Sequence, residues 1–360
     1  MRTQAFAIIT SALLITLANG SAAAQSVAPK LSLAKPDWVS SEAFSILSAI
    51  RVLSNGTVLA VDGKETEVHL IDANGKIVRQ IGRKGSGPGE YTRPAFLWPL
   101  PADSTLLLDM GARRYLIINP RGQIVKTEVI STALGGGADG IAGADPQGRL
   151  YFGAKFATID NGVNPSTPIG RWTRGTDRFD TVTMFHAETP AVRTANPKGT
   201  GFTELHGQAR EIFAPVDDWL VAPSGRIAII HAIPYRVDWV ELNGKTTTGT
   251  AVNVTRVPVT ELDRKLREPN GPPYGRTYAT LKSPFIADLC VIDSQDNVWV
   301  PRSEAAKFKN RRWDVFSATG QWRGTVLIPN GRTLFALTAT HAYVRYIDSD
   351  GLQWVERYTR

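Results

Sequence analysis

Two kinds of short turn alternate along this chain at a nearly constant interval, and that rhythm limits the fold more than any other feature. The first kind stands at Asn55-Gly56, Asp103-Ser104, Gln147-Gly148, Ser224-Gly225, Asp296-Asn297 and Thr340-His341. The second stands at Asn74-Gly75, Arg121-Gly122, Arg174-Gly175, Asn243-Gly244 and Thr319-Gly320. Gly56 to Gly75, Asp103 to Gly122 and Gly225 to Gly244 are each 19 residues apart, and the remaining two pairs are longer. Asp72, Asn119 and Ser317 each lie three residues before a turn glycine. There a short polar side chain can hold the backbone while glycine takes a left-handed conformation, which is hairpin chemistry.

Between the turns lie short apolar runs such as Val58-Leu59-Ala60-Val61, Leu106-Leu107-Leu108 and Tyr115-Leu116-Ile117-Ile118. With a strand before and one after, each unit has four strands, and a four-stranded unit recurring every ~40–50 residues marks a propeller blade. The expectation is an all-β chain, a six-bladed β-propeller of four-stranded antiparallel blades. Two longer steps place loop insertions at about 187–215 and 253–285, rich in Pro, Gly and charge; Thr260 to Glu268 is the best helical stretch, about two turns. The sixth unit has room for only three strands, so Leu31 to Lys35 is expected to supply its outer strand and close the ring. Seven blades, one of them degenerate and hidden in an insertion, is the alternative.

Met1 to Ala24 has an early Arg2, an apolar run from Phe6 to Ala18 and a small-residue tail ending Ala22-Ala23-Ala24. That pattern is expected of a signal peptide, leaving residues 25–360 as a single propeller domain exported to the periplasm or secreted. No later stretch reaches the ~20 apolar residues of a membrane span. Cys290, the single cysteine, excludes an intrachain disulfide and sits in the apolar run Leu289 to Ile292 as a buried strand thiol. The formal net charge is +8, scattered without a long basic run, so nucleic acid is not expected as a partner.

Ile81-Gly82-Arg83-Lys84-Gly85-Ser86-Gly87-Pro88-Gly89-Glu90-Tyr91, followed by Pro94, resembles the inter-blade signature of NHL-type repeats. Together with Leu106-Leu107-Leu108-Asp109 and Ile117-Ile118-Asn119-Pro120-Arg121-Gly122 it resembles the exported NHL-like six-bladed propellers of bacteria. The resemblance implies a binding role toward substrates, proteins or RNA. The glycine segment is not a phosphate cradle, because it runs into Tyr91, Pro94 and a strand-like Phe96-Leu97-Trp98 instead of a helix N-terminus.

In such a fold the tight turns share one face, and the longer, irregular loops gather on the other, where sites are expected. Counting six residues beyond the first turn gives Asp62, Asp109 and His231, with Asp348 seven beyond His341. These four are the binding candidates on the loop-bearing rim, able to hold a divalent cation such as calcium, as in lactonase-type propellers, or in the case of His231 to act as a base. The competing reading has the carboxylates capping strand ends by accepting from loop amides. His206 and Arg210 of the first insertion are further candidates, for an anionic small molecule or a protein partner. The five histidines show no metal-binding spacing, and no G-x-S-x-G elbow is present. Two functions remain: a non-catalytic ligand- or protein-binding module of the cell envelope, and a metal-dependent hydrolase or lactonase with a cation at the channel mouth.

Overall fold

In the computed structural model, every residue of Val58–Asp62 and of Thr105–Asp109 is buried. A strand shielded on both faces reads as an unbroken apolar run, as the interior strands of stacked sheets do. Residues 31–129, 141–153, 166–176, 178–186, 192–195, 202–206, 211–271 and 277–360 are described. They build six four-stranded antiparallel sheets, five in chain order and the sixth joining the first strand of the chain to its last three, and the chain is a six-bladed β-propeller.

Blade 1 comprises Leu47–Val52, Val58–Asp62, Glu67–Ile71 and Ile77–Gln80; blade 2 comprises Pro94–Pro99, Thr105–Asp109, Arg114–Ile118 and Ile124–Val129. Blade 3 is Ile141–Ala144, Leu150–Gly153, Ser166–Trp172 and Phe179–His186, and blade 4 is Asp218–Val221, Ile227–His231, Arg236–Val240 and Thr246–Thr247. Blade 5 is Val291–Ile292, Val298–Pro301, Arg311–Phe316 and Trp322–Ile328. Blade 6 contributes Arg332–Leu337, His341–Ile347 and Gln353–Thr359. First strands of blades 1 and 2, 2 and 3, 3 and 4, 5 and 6, and 6 and 1 lie against one another, so they line the axis.

The interior is a ring of inter-blade cores. Leu107 packs with Leu59, Val61 and Val68 of blade 1, while its neighbours Leu106 and Leu108 pack with Leu150 and Phe152 of blade 3. The same division recurs at Ile227 and Ile229 towards blade 3 and Ala228 and Ile230 towards blade 5. Blades 5 and 6 join through Trp299, Trp313, Leu334 and Val344, and blades 6 and 1 through Tyr343, Val355, Leu47 and Ala60. Side chains alternate across a strand, so each of these strands serves two interfaces.

The outer strand of blade 6 is the N-terminal segment, but at Trp38–Val39 and not at Leu31 to Lys35: Trp38 pairs with Arg357 and Val39 with Glu356. Leu31 and Leu33 instead pack against the core between blades 5 and 6. The turn glycines Gly75, Gly122, Gly175, Gly244 and Gly320 all have φ between 71° and 87°. The Asp72 carboxylate accepts from the Asn74 and Lys76 amides, and Asn119 and Ser317 do the same in their turns.

The connection from blade 1 to blade 2 holds the glycine segment. Arg83–Lys84 and Glu90–Tyr91 form a small parallel pair, and the Glu90 carboxylate accepts from the Gly87 amide and from Arg83 Nε. Buried Tyr91 donates its hydroxyl to the Ile81 carbonyl (2.8 Å) and accepts from the Val68 amide (3.1 Å). The segment therefore fastens two blades together. Between blades 3 and 4, Val192–Ala195 pairs with Phe202–His206 as a hairpin. Between blades 4 and 5 lies the α-helix Glu261–Arg267, started by a Thr260–Asp263 capping box.

Candidate functional site on the loop-bearing face

The second-to-third loops and the inter-blade connections lie at the end opposite the tight turns, and Asp62, Asp109, His231 and Asp348 stand there in blades 1, 2, 4 and 6. Each spends its hydrogen bonds on its own blade or on the connection that leads into it. The Asp62 carboxylate accepts from the amides of Ser45 (2.6 Å), Ile46 (3.2 Å), Lys64 (3.0 Å) and Glu65 (3.1 Å). Asp109, fully buried, accepts from the Thr92 and Arg93 amides, the Thr92 hydroxyl, the Ala112 amide and Arg114 Nε. Burial alone would raise the Asp109 carboxyl, but the Arg93 and Thr92 donors outweigh it and hold the group below its ordinary value. Asp348 accepts from the Asp350 and Leu352 amides and from Trp354 Nε1. The two buried carboxylates thus knit the incoming connection and the second-to-third loop to the end of the strand between them.

Blade 4 exchanges these parts. The carboxylate belongs to the connection, as Asp217, and the strand end carries His231, whose Nδ1 lies 2.8 Å from Asp217 and whose Nε2 lies 3.0 Å from Asp238. Asp217 also accepts from the Ala232 amide, and Asp238 accepts from Arg236 Nε and Nη2 and from the Gly249 amide. With a carboxylate on each ring nitrogen, His231 presents neither to a metal nor to a reacting proton. His206 lies on the hairpin strand opposite Val192, and Arg210 lies outside the described residues. Among the described residues, no three His, Cys, Asp or Glu side chains group as a metal site.

Sequence reasoning missed the rest of the polar face. Asp218, first residue of blade 4's axial strand, accepts from the amides of Trp219 and Asp288, and burial, then the nearby Asp288 charge, pushes its carboxyl up to about 6. Burial and Asp218 likewise push the Cys290 thiol well up, so it is protonated and no nucleophile. Asp288 has φ of 64° and is exposed. No sequence spacing announced this group, because its members come from two connections of unequal length.

The insertions lie over this region. Ile212 and Tyr278 form a bridge with Ile212 donating to the Thr277 carbonyl at 2.8 Å, and Phe213 stacks on Tyr278 with ring centroids 6.3 Å apart. Buried Lys282 donates to Asp263 Oδ1 (2.5 Å) and to the Glu304 carbonyl (2.6 Å), tying helix Glu261–Arg267 to the blade 5 loop. A buried ammonium is tolerated when a carboxylate and a carbonyl share its charge. Arg264 lies over the Tyr278 ring at 5.3 Å and within 3.9 Å of Glu261, so Phe213, Tyr278 and Arg264 meet where the two insertions join.

Residues 40–98, which include blade 1 and most of the first strand of blade 2, match the family DUF5128, described as a 6-bladed beta-propeller. No curated protein matches the sequence. Solved structures similar to the chain include a member of the DUF4221 family from Bacteroides vulgatus, 10% identical over 90% of this chain and 95% of that one, with a TM-score of 0.49. A calcium-binding protein, regucalcin, from Agrobacterium tumefaciens is 13% identical over 89% of this chain and 93% of that one, with a TM-score of 0.42. The six-bladed ring itself, read from its own strand pairing, is the firm result: this chain is a six-bladed β-propeller.

Proposed function

We propose that the chain is a non-catalytic binding propeller of the NHL-like type, exported to the cell envelope, which takes a ligand or protein partner on its loop-bearing face. The observation that carries this reading is the pair of insertions joined at Ile212 and Tyr278, which bring Phe213, Tyr278 and Arg264 together at one end of the ring. The hydrolase reading needs rim carboxylates free to hold a cation. Asp62 and Asp109 instead spend their lone pairs on backbone amides, so they serve the scaffold. Among the described residues no helix is long and apolar enough to cross a membrane.

Hydrogen exchange of the purified chain, with and without a panel of small carboxylates, phosphates and saccharides, tests the reading. Protection is expected in 211–213, 277–283 and 302–312, and not at the opposite turns around Gly75 and Gly244. A stoichiometric divalent ion, lost on Asp62→Asn together with a chelator-sensitive lactone hydrolysis, would replace the binding reading with the enzymatic one.

A further inference from the structure

One buried ammonium holds the second insertion beside the blade 5 loop. Lys282 Nζ lies 2.5 Å from Asp263 Oδ1, on the inner side of helix Glu261–Arg267, and 2.6 Å from the carbonyl of Glu304, in the second-to-third loop of blade 5. Arg312, where that loop ends, grips Glu304 at 2.7 and 2.8 Å and lies 5.8 Å from the ring centroid of Phe308. The helix and the Lys307-Phe308-Lys309 turn are therefore neighbours at the loop-bearing end, fixed there by hydrogen bonds.

What these two segments show to water is apolar and basic together. Asp263 is buried, whereas Leu262 and Leu266 are 48% and 68% exposed and Phe308 is 48% exposed. Residues four apart on a helix share a face, so the two leucines form one stripe. Lys265 stands between them in the sequence, and Lys307 and Lys309 flank Phe308; all three lysines are exposed. Arg264 lies 3.9 Å from Glu261 and Arg267 lies 3.8 Å from Glu268, so the acids at the two ends of the helix are answered by arginines. Among the described residues the three lysines have no carboxylate partner.

Apolar side chains scattered singly over a surface are ordinary, but three gathered on neighbouring segments, interleaved with unanswered cations, need an account. A protein partner accounts for them poorly, because the centres of protein interfaces are depleted in lysine. A lipid surface accounts for both halves of the pattern: leucine and phenylalanine enter the boundary between headgroups and acyl chains, while lysine ammoniums stay among the phosphates. Complementarity with Lys265, Lys307 and Lys309, in a chain of formal net charge +8, makes that surface anionic. We propose that helix Glu261–Arg267 and the turn at 307–309 form a peripheral docking surface for an anionic phospholipid membrane. The inference goes beyond the ligand reading, since it gives the ring an orientation, with its loop-bearing face toward the lipid.

Flotation of the full chain with vesicles of phosphatidylcholine alone, and with about one part in three of phosphatidylglycerol, tests it. Binding to the anionic vesicles is expected to be roughly tenfold stronger than to the neutral ones and to weaken as ionic strength rises to about 0.5 M. Leu262→Ser with Leu266→Ser, and Lys307→Glu with Lys309→Glu, should each reduce it roughly tenfold. Lys76→Glu with Lys245→Glu, in exposed turns of the opposite face, should leave it within about twofold. All the substituted side chains are exposed, so the variants are expected to melt at the wild-type temperature. In the wild-type chain, anionic vesicles should slow hydrogen exchange at 261–267 and 307–309. Absence of binding to anionic vesicles, or binding that both patch variants leave unchanged, as when residues 1–24 hold the chain to the lipid, overturns the surface. Capture of a polyglutamate peptide in place of vesicles, lost in the same variants, overturns it too and assigns an acidic protein partner. Neither result touches the small-ligand exchange experiment, whose failure removes the ligand reading and leaves the lipid contact standing.

Discussion

Tyr91 and Asp218 illustrate how single residues carry the joints between blades. The Tyr91 hydroxyl satisfies a buried carbonyl and a buried amide at once. Tyr91→Phe leaves both without partners and is expected to cost about 1–3 kcal/mol, read as a lower urea midpoint at unchanged slope. An unchanged midpoint would show that water replaces the hydroxyl. Asp218 behaves oppositely. Its carboxyl holds its proton more tightly in the folded chain, with a value near 6 against the ordinary 3.8. Its contribution to stability is therefore greatest below about pH 4 and is lost as pH rises through about 6. Asp218→Asn should stabilise the fold at pH 7.5 by on the order of 1 kcal/mol, read as a raised melting temperature, and leave it nearly unchanged at pH 3.5. Equal shifts at both pH values would trace the effect to packing instead. Asp62 and Asp109 were legible in the letters as residues of one rim, and capping was the alternative that their amide partners match.

Elements in this fold are set by their ends. The second turns of blades 4 and 5 use the same left-handed glycine, with φ of 82° at Gly244 and 73° at Gly320. Their surroundings differ: a Cβ at Gly244 meets open space, whereas one at Gly320 would come within 2.4 Å of the Val237 carbonyl and 2.8 Å of Gly249 Cα. Gly244→Ala should cost about 1 kcal/mol from the backbone alone, and Gly320→Ala clearly more, since two blades must part to admit it. Equal melting shifts for the two would mean that backbone conformation is the whole effect. Glycine spacing disclosed these turns because only glycine enters that conformation cheaply. The closing strand was misplaced for a related reason: alternating Leu31 and Leu33 report burial, and the structure uses them for packing while hydrogen-bonded pairing begins at Trp38.

At the scale of the whole molecule, stability is distributed around a closed circuit of six interfaces, and weakening one junction is felt by the others. Trp38 is the most exposed point of that circuit. It packs edge-on against Tyr343 with centroids 6.0 Å apart and lies beneath the Arg357 guanidinium at 5.4 Å. Trp38→Ala is expected to lower stability by about 3–5 kcal/mol and to appear first as faster exchange in 353–359, before the other blades loosen. Uniform exchange across all blades would indicate that the ring opens as one unit. The blade count came through in the sequence because the turns repeat. The wiring of the loop-bearing face did not, since Asp217 and Asp288 meet their neighbours through connections whose lengths differ from blade to blade.

Trp38 meets Arg357 across nearly the full length of the polypeptide, and this has a consequence for biogenesis. Until the strand Gln353–Thr359 has emerged, the opening segment has no partner, so the sixth sheet can close only after the other five have all their strands. Until then both unfinished borders present unpaired edges, open to mispairing with other chains.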